Sequence, residues 1–138
     1  MGGHGHVIDI DVNFDAAIER VTAALETEGF GVFRCVDIDE AFREKLGVDF
    51  RRYTILGACN LQLAHRALSA DPEAGTMLPC NVCVEEIPIG SRVRFADSAA
   101  MMTAGGFDDH PELHELSENA GTSLARAAAA IGKFSTRG

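Results

Sequence analysis

The chain has 138 residues, 46% of them hydrophobic, and 21 acidic against 12 basic residues give a net charge of -9. This length suits one domain with a real core, and the acidic surplus sets up a field that repels nucleic acid and acidic membranes. No apolar run approaches a membrane span, and the start MGGHGHVIDIDVNFD lacks the basic-then-apolar order of an export signal, so a cytoplasmic protein is expected.

Residues 1–6 read as a flexible lead or expression remnant, and residues 7–138 as a single domain. Val7 to Val12 alternates apolar and acidic residues, which predicts a strand buried on one face. Asn13 can cap a helix that carries Phe14, Ile18, Val21 and Leu25 on one side and stops at Gly29. Phe30 to Val36 predicts a second strand. Asp37 with Glu40 forms a capping-box-like start to a short helix ending at Gly47, with Ile38, Phe42 and Leu46 as its buried stripe. Arg51 and Arg52, too short a cluster for a polyanion stripe, read as a solvated strand edge.

Phe50 to Ala58 is strand-like, and Asn60 is the expected N-cap of a helix with Leu61, Ala64 and Leu68 on its inner face, running to the Asp71-Pro72 turn. Met77 to Ile87 reads as a strand interrupted by Pro79, which points to an edge or a bulge, and Pro88 to Ser91 as a hairpin turn into Arg92 to Ala96. Ala100 to Asp108 predicts a short helical turn and a flexible link. Pro111 opens a last helix whose Leu113, Leu116, Ala120, Leu124, Ala127 and Ile131 recur at helical spacing. About five strands and about four helices predict an α+β sheet layered with helices.

Two segments carry a family signature: Gly57-Ala58-Cys59-Asn60 continuing to Ala64-His65-Arg66-Ala67-Leu68, and Leu78-Pro79-Cys80-Asn81-Val82. With Glu28-Gly29-Phe30-Gly31-Val32 and Lys45-Leu46-Gly47-Val48-Asp49-Phe50, they resemble the bacterial and archaeal family called domain of unknown function 302, from the first strand to the last helix. The resemblance implies a compact α+β fold that forms a homodimer, with the two Cys-Asn pairs as its mark and no established activity. This chain departs from that pattern at Leu61 and Ser98, where the family often has proline.

The four cysteines, in a reducing compartment, are core residues, metal ligands or reactive groups rather than structural disulfides. Cys59, just before a helix, would feel the positive end of the peptide dipoles, which favours a thiolate able to attack or to bind metal, with Asn60 holding the geometry; it also suits a small apolar filler. Cys80 follows a proline that cannot join a ladder, so its thiol could be presented to a ligand oriented by Asn81. Cys80 and Cys83 are nominally Cys-x-x-Cys, but strand residues three apart face opposite ways, so Cys83, like Cys35, reads as core. If Cys59 and Cys80 converge, His65 becomes the third metal ligand or the proton acceptor.

Elsewhere, His110 and His114 have chelate spacing, although a solvated helix face accounts for them better. Gly2-Gly3-His4 would chelate Cu(II) or Ni(II) if Met1 were removed, against the plainer reading of a flexible start. No catalytic Ser-His-Asp order, phosphate-cradling loop or dinucleotide fingerprint is visible, and no cofactor is named by the sequence.

Three functions remain open on these residues. The first is a homodimeric protein binding a small molecule or metal ion through Cys59, Asn60, His65, Cys80 and Asn81, the metal ligands being Cys59, Cys80 and His65. The second is a thiol redox protein or enzyme with Cys59 as nucleophile and Cys80 as resolving partner, and the third is a non-catalytic structural or interaction module.

Overall fold

A computed structural model describes residues 6–107 and 109–133. The Gly2-Gly3-His4 chelate lies outside them. Five strands, β1 (His6–Ile10), β2 (Gly31–Asp37), β3 (Tyr53–Cys59), β4 (Cys80–Ile87) and β5 (Gly90–Phe95), form one antiparallel sheet in the order β1-β5-β4-β3-β2. Five α-helices accompany it: α1 (Phe14–Thr27), α2 (Ile38–Leu46), α3 (Leu61–Ala70), α4 (Ser98–Gly105) and α5 (Pro111–Lys133), with a 3₁₀ helix at Pro72–Met77. His6 already pairs with Phe95, so the first strand begins inside the segment read as a lead.

The main core lies between one sheet face and helices α1 and α5. Alternation places Leu56, Val82, Val84, Val93 and Phe95 on that face, against Phe14, Val21 and Leu25 of α1 and Leu124 and Ile131 of α5. Each such side chain contributes roughly 1.5–3 kcal/mol on full burial. The start of α1 follows the sequence reading: Ala16 N–H donates to Asn13 Oδ1 at 2.8 Å. Gly29, at φ +85°, then turns the chain back toward β2.

The opposite face carries a charged ladder. Glu85, only 5% exposed, accepts hydrogen bonds from Arg51 and, at 2.7 Å, from Arg94. Arg92 grips Asp9 with two hydrogen bonds of 2.7 and 2.9 Å. On the α1 side of the sheet, Arg52 bonds Asp15 at 3.0 Å and stacks over Phe14. The Arg51-Arg52 pair therefore fastens elements together in place of forming a merely solvated edge. Burial alone would raise the Glu85 carboxyl, but the hydrogen bonds and charges of Arg51 and Arg94 outweigh it and hold the group below its ordinary value.

Several expectations fail for identifiable reasons. Helix α2 does not bury an apolar stripe: Leu46 is 67% exposed, while Asp39 is buried and accepts from Tyr53 N–H at 3.1 Å. The helix docks by a carboxylate bracket at the start of β3. Asp37 makes no capping-box bond, because its cross-strand neighbour Thr54 donates its hydroxyl to Asp37 Oδ1 at 2.6 Å. Helix α3 is rotated from its expected setting, with Ala64 and Ala67 inward and Leu61 and Leu68 exposed.

Pro79 precedes β4 instead of interrupting it, and β4 is a central strand paired on both sides. The region after Phe95 forms an eight-residue helix, α4, where a single turn was expected. Asp97 Oδ1 caps it by accepting from Ala99 and Ala100 N–H, and Gly106 at φ +80° ends it.

Candidate functional site

Strands β3 and β4 run side by side in a register that pairs Ala58 with Cys80, so Cys59 at the end of β3 and Cys80 at the start of β4 lie at the same end of the sheet. That close pairing needs a glycine at position 57: a Cβ there would stand 2.9 Å from Pro79 Cγ and 3.2 Å from Arg34 Cβ. Immediately beyond Cys59 the chain enters α3, where Asn60 Oδ1 accepts from Leu63 N–H at 3.1 Å as a helix cap. The Asn60 amide also fills the space beside Gly29, where any Cβ would come within 3.0 Å of its Nδ2. The first Cys-Asn pair is thus fixed from both sides.

The two thiols line one half-enclosed cavity, with about 590 Å³ of space including the part open to solvent. Its floor is the sheet end with Phe30, Cys59, Leu78 and Cys80. The walls are the inner face of α3 and the first half of α5, and α4 closes it with Ser98, Met101 and Met102, while Met77 enters from the 3₁₀ helix. Among the described residues no charged side chain lines it. A small second core borders this space, made of Ala67, Ala74, Met102, Leu113 and Leu116. Ser98 Oγ donates to Ser117 O at 3.0 Å and ties α4 to α5.

The surroundings decide the protonation of the thiols. Burial raises Cys59, and burial with the neighbouring charge of Cys59 pushes Cys80 up to about 11. Desolvation therefore acts against the helix-start effect expected for Cys59 and favours the neutral thiol at both positions.

Of the five site residues expected from the sequence, the cavity gathers Cys59, Asn60 and Cys80. His65 is instead on the exposed outer side of α3, because that helix turns Ala64 and Ala67 inward, so the fold does not bring it to the thiols as the third ligand or proton acceptor expected. Asn81 is exposed and, one residue on from Cys80 along a strand, faces the other side of the sheet. Cys83 also lies on that other side, half-buried beside Tyr53, so it is not a core residue. Cys35 is exposed on the edge strand β2, again unlike the core position expected.

His110 Nδ1 accepts from Leu113 N–H at 3.4 Å, and His114 pairs with Glu118 at 3.2 Å on the solvated face of α5. Among the described residues no group of three or more His, Cys, Asp or Glu is placed to hold a metal ion. The sequence reading missed Met77, Met101 and Met102. For Met101 and Met102 the one available signal was the stretch Ser98 to Ala104, in which small and flexible apolar residues follow one another without an amphipathic stripe; Met77 had none.

Residues 6–131 match the family described as Domain of unknown function DUF302. The chain belongs to this family. A crystal structure of an uncharacterized conserved DUF302 protein from Bacillus stearothermophilus is similar throughout: it has a TM-score of 0.81 and 28% sequence identity, with 91% of this chain and 96% of that one covered. No curated protein matches the chain. The DUF302 match takes in both Cys-Asn segments, and Cys59, Asn60, Leu78 and Cys80 from those segments border the cavity. No described helix is long and apolar enough to cross a membrane.

Proposed function

We propose that this DUF302 protein is a binding protein whose small ligand enters the cavity under α4 and contacts Cys59 and Cys80. One observation carries the reading: residues far apart in sequence, including six from the two signature segments (Cys59, Asn60, Ala64, Ala67, Leu78 and Cys80), converge on one concave space with no charged side chain among its described lining residues. Methionines on the wall and lid suit such a site, because their flexible thioethers adapt to a guest. Burial that favours the neutral thiol weighs against Cys59 as a nucleophile.

Binding of the uncharged fluorophore N-phenyl-1-naphthylamine tests the cavity. Its emission is expected to rise with the native protein and to stay low with Ala64→Leu, which fills the space from α3 without adding charge. Equal emission from both folded proteins would place the probe elsewhere and overturn the reading. Pulse alkylation at neutral pH separates binding from thiol chemistry: exposed Cys35 should label first and Cys80 last, whereas fastest labelling of Cys59 would favour a redox protein or enzyme. Self-association as a homodimer is supported by the family resemblance, and sedimentation of the full chain as a monomer across the micromolar range would remove it.

A further inference from the structure

The sequence holds four cysteines and four methionines. Five of these eight sulfur residues, Cys59, Cys80, Met77, Met101 and Met102, line the same cavity. They come from three stretches of chain, around residue 59, from 77 to 80, and at 101 and 102, so the sheet pairing and the fold of α4 bring the three stretches together. Apart from two serines and Asn60, every other lining side chain is hydrocarbon, and no carboxylate or imidazole is among them.

From this set we infer that the cavity takes a soft monovalent metal ion, Cu(I) or its redox-silent analogue Ag(I), bound by Cys59 and Cys80 with methionine thioethers beside them. The inference rests on the reading of the cavity as the binding site and names its ligand class. Hard cations are held chiefly by carboxylate oxygens, and the lining offers only two hydroxyls and one amide, while a zinc site needs at least three His, Cys, Asp or Glu ligands, a grouping absent among the described residues. Thiolate and thioether donors, by contrast, select Cu(I), and two sulfurs satisfy a monovalent ion in linear coordination.

Binding is an exchange of protons for metal. One M⁺ displaces the protons of two thiols, two metal–sulfur bonds form, two H⁺ leave to solvent, and no electron is transferred. The bound unit carries one negative charge. Helix α3 begins directly after Cys59, so its first N–H groups present their positive ends beside that charge. The sulfur donors themselves favour the +1 state of copper, because soft thiolate and thioether ligands select Cu(I). Because protons are released, affinity rises with pH.

The test uses the full chain, reduced and free of oxygen. Titrated with Cu(I) against bicinchoninate, the native protein is expected to retain one ion per chain. X-ray absorption should show sulfur-only coordination, and a weakly buffered Ag(I) titration should release two protons per ion. Cys59→Ser and Cys80→Ser should each surrender the ion to the competitor, while Cys35→Ser retains it.

Complete transfer of Cu(I) from the native protein to bicinchoninate would overturn the inference, as would undiminished retention by the Cys59→Ser, Cys80→Ser double variant. The naphthylamine probe, added to the same native sample, separates the two levels. Probe uptake without metal retention overturns the soft-metal assignment and leaves the binding cavity standing; loss of both overturns both.

Discussion

The two cores of this molecule solve burial differently. Between the sheet and helices α1 and α5, branched and aromatic side chains such as Phe14, Val21, Leu56 and Val82 meet across facing surfaces and fill the space. Around α3, α4 and the first half of α5, buried positions are held by Ala67, Ala74 and Met102 beside Leu113 and Leu116, and room is left over. The difference lies in side-chain volume more than in hydrophobicity. Short helices bearing alanine and methionine enclose a space that they do not occupy.

Truncating each core should break this contrast most visibly. Leu124→Ala, at a site 2% exposed in the filled core, is expected to lower stability by about 2–5 kcal/mol in urea unfolding, through lost transfer energy and a new void. Met102→Ala, at a site equally 2% exposed in the second core, should cost clearly less, since that side chain already borders empty space. Equal losses would mean that the second core packs as tightly as the first.

The charged face offers the next largest effect. Glu85→Ala removes the shared partner of Arg51 and Arg94 and should cost about 1–2 kcal/mol. A fully buried pair would cost more, but these guanidiniums are 54% and 38% exposed and recover water contacts. Because the folded carboxyl titrates below its ordinary value of 4.5, its contribution is complete above that pH and is lost as pH falls through the lower folded value. Native protein should therefore lose stability more steeply under acid than Glu85→Gln. Superimposable acid profiles would contradict the assignment.

Two smaller changes probe the mouth of the cavity. Asn60→Ala deletes the cap of α3 and should cost about 1 kcal/mol, with faster amide exchange at Leu63. Leu61→Pro should have the opposite sign, a gain of about 0.5–1 kcal/mol in thermal or urea unfolding. Leu61 is the first residue of α3, it is 64% exposed, and the extended backbone of Asn60 (φ -94°, ψ 108°) already suits a following proline. Destabilisation would show that the Leu61 side chain has a role beyond its visible contacts.

Much of the fold was legible in the sequence because its strongest signals are local. Strict alternation announced β1, a capped stripe announced α1, and Pro111 with a long helical repeat announced α5. The setting of α2 and α3 was not legible, because large apolar residues on short helices suggest an inner face that Leu46, Leu61 and Leu68 do not occupy. Cys59 and Cys80 were singled out by sequence, but their meeting depends on β3 pairing with β4, which spacing along the chain does not encode. His65 and Asn81 were carried in by proximity to those cysteines. The rotation of α3 and the alternation of β4 turn both outward, and the methionines that take their place lie in segments with no periodic signal.

The cavity has a floor and a roof built to different standards of rigidity. Cys59 and Cys80 stand on neighbouring strands locked by a six-pair ladder, so their spacing is set before any guest arrives. The roof, α4, is one eight-residue helix held by the Asp97 cap and the Ser98 to Ser117 hydrogen bond. If the proposed ligand binds, occupancy should therefore be legible from outside as a change in the protection and mobility of residues 98–105, while the thiol-bearing strands stay still.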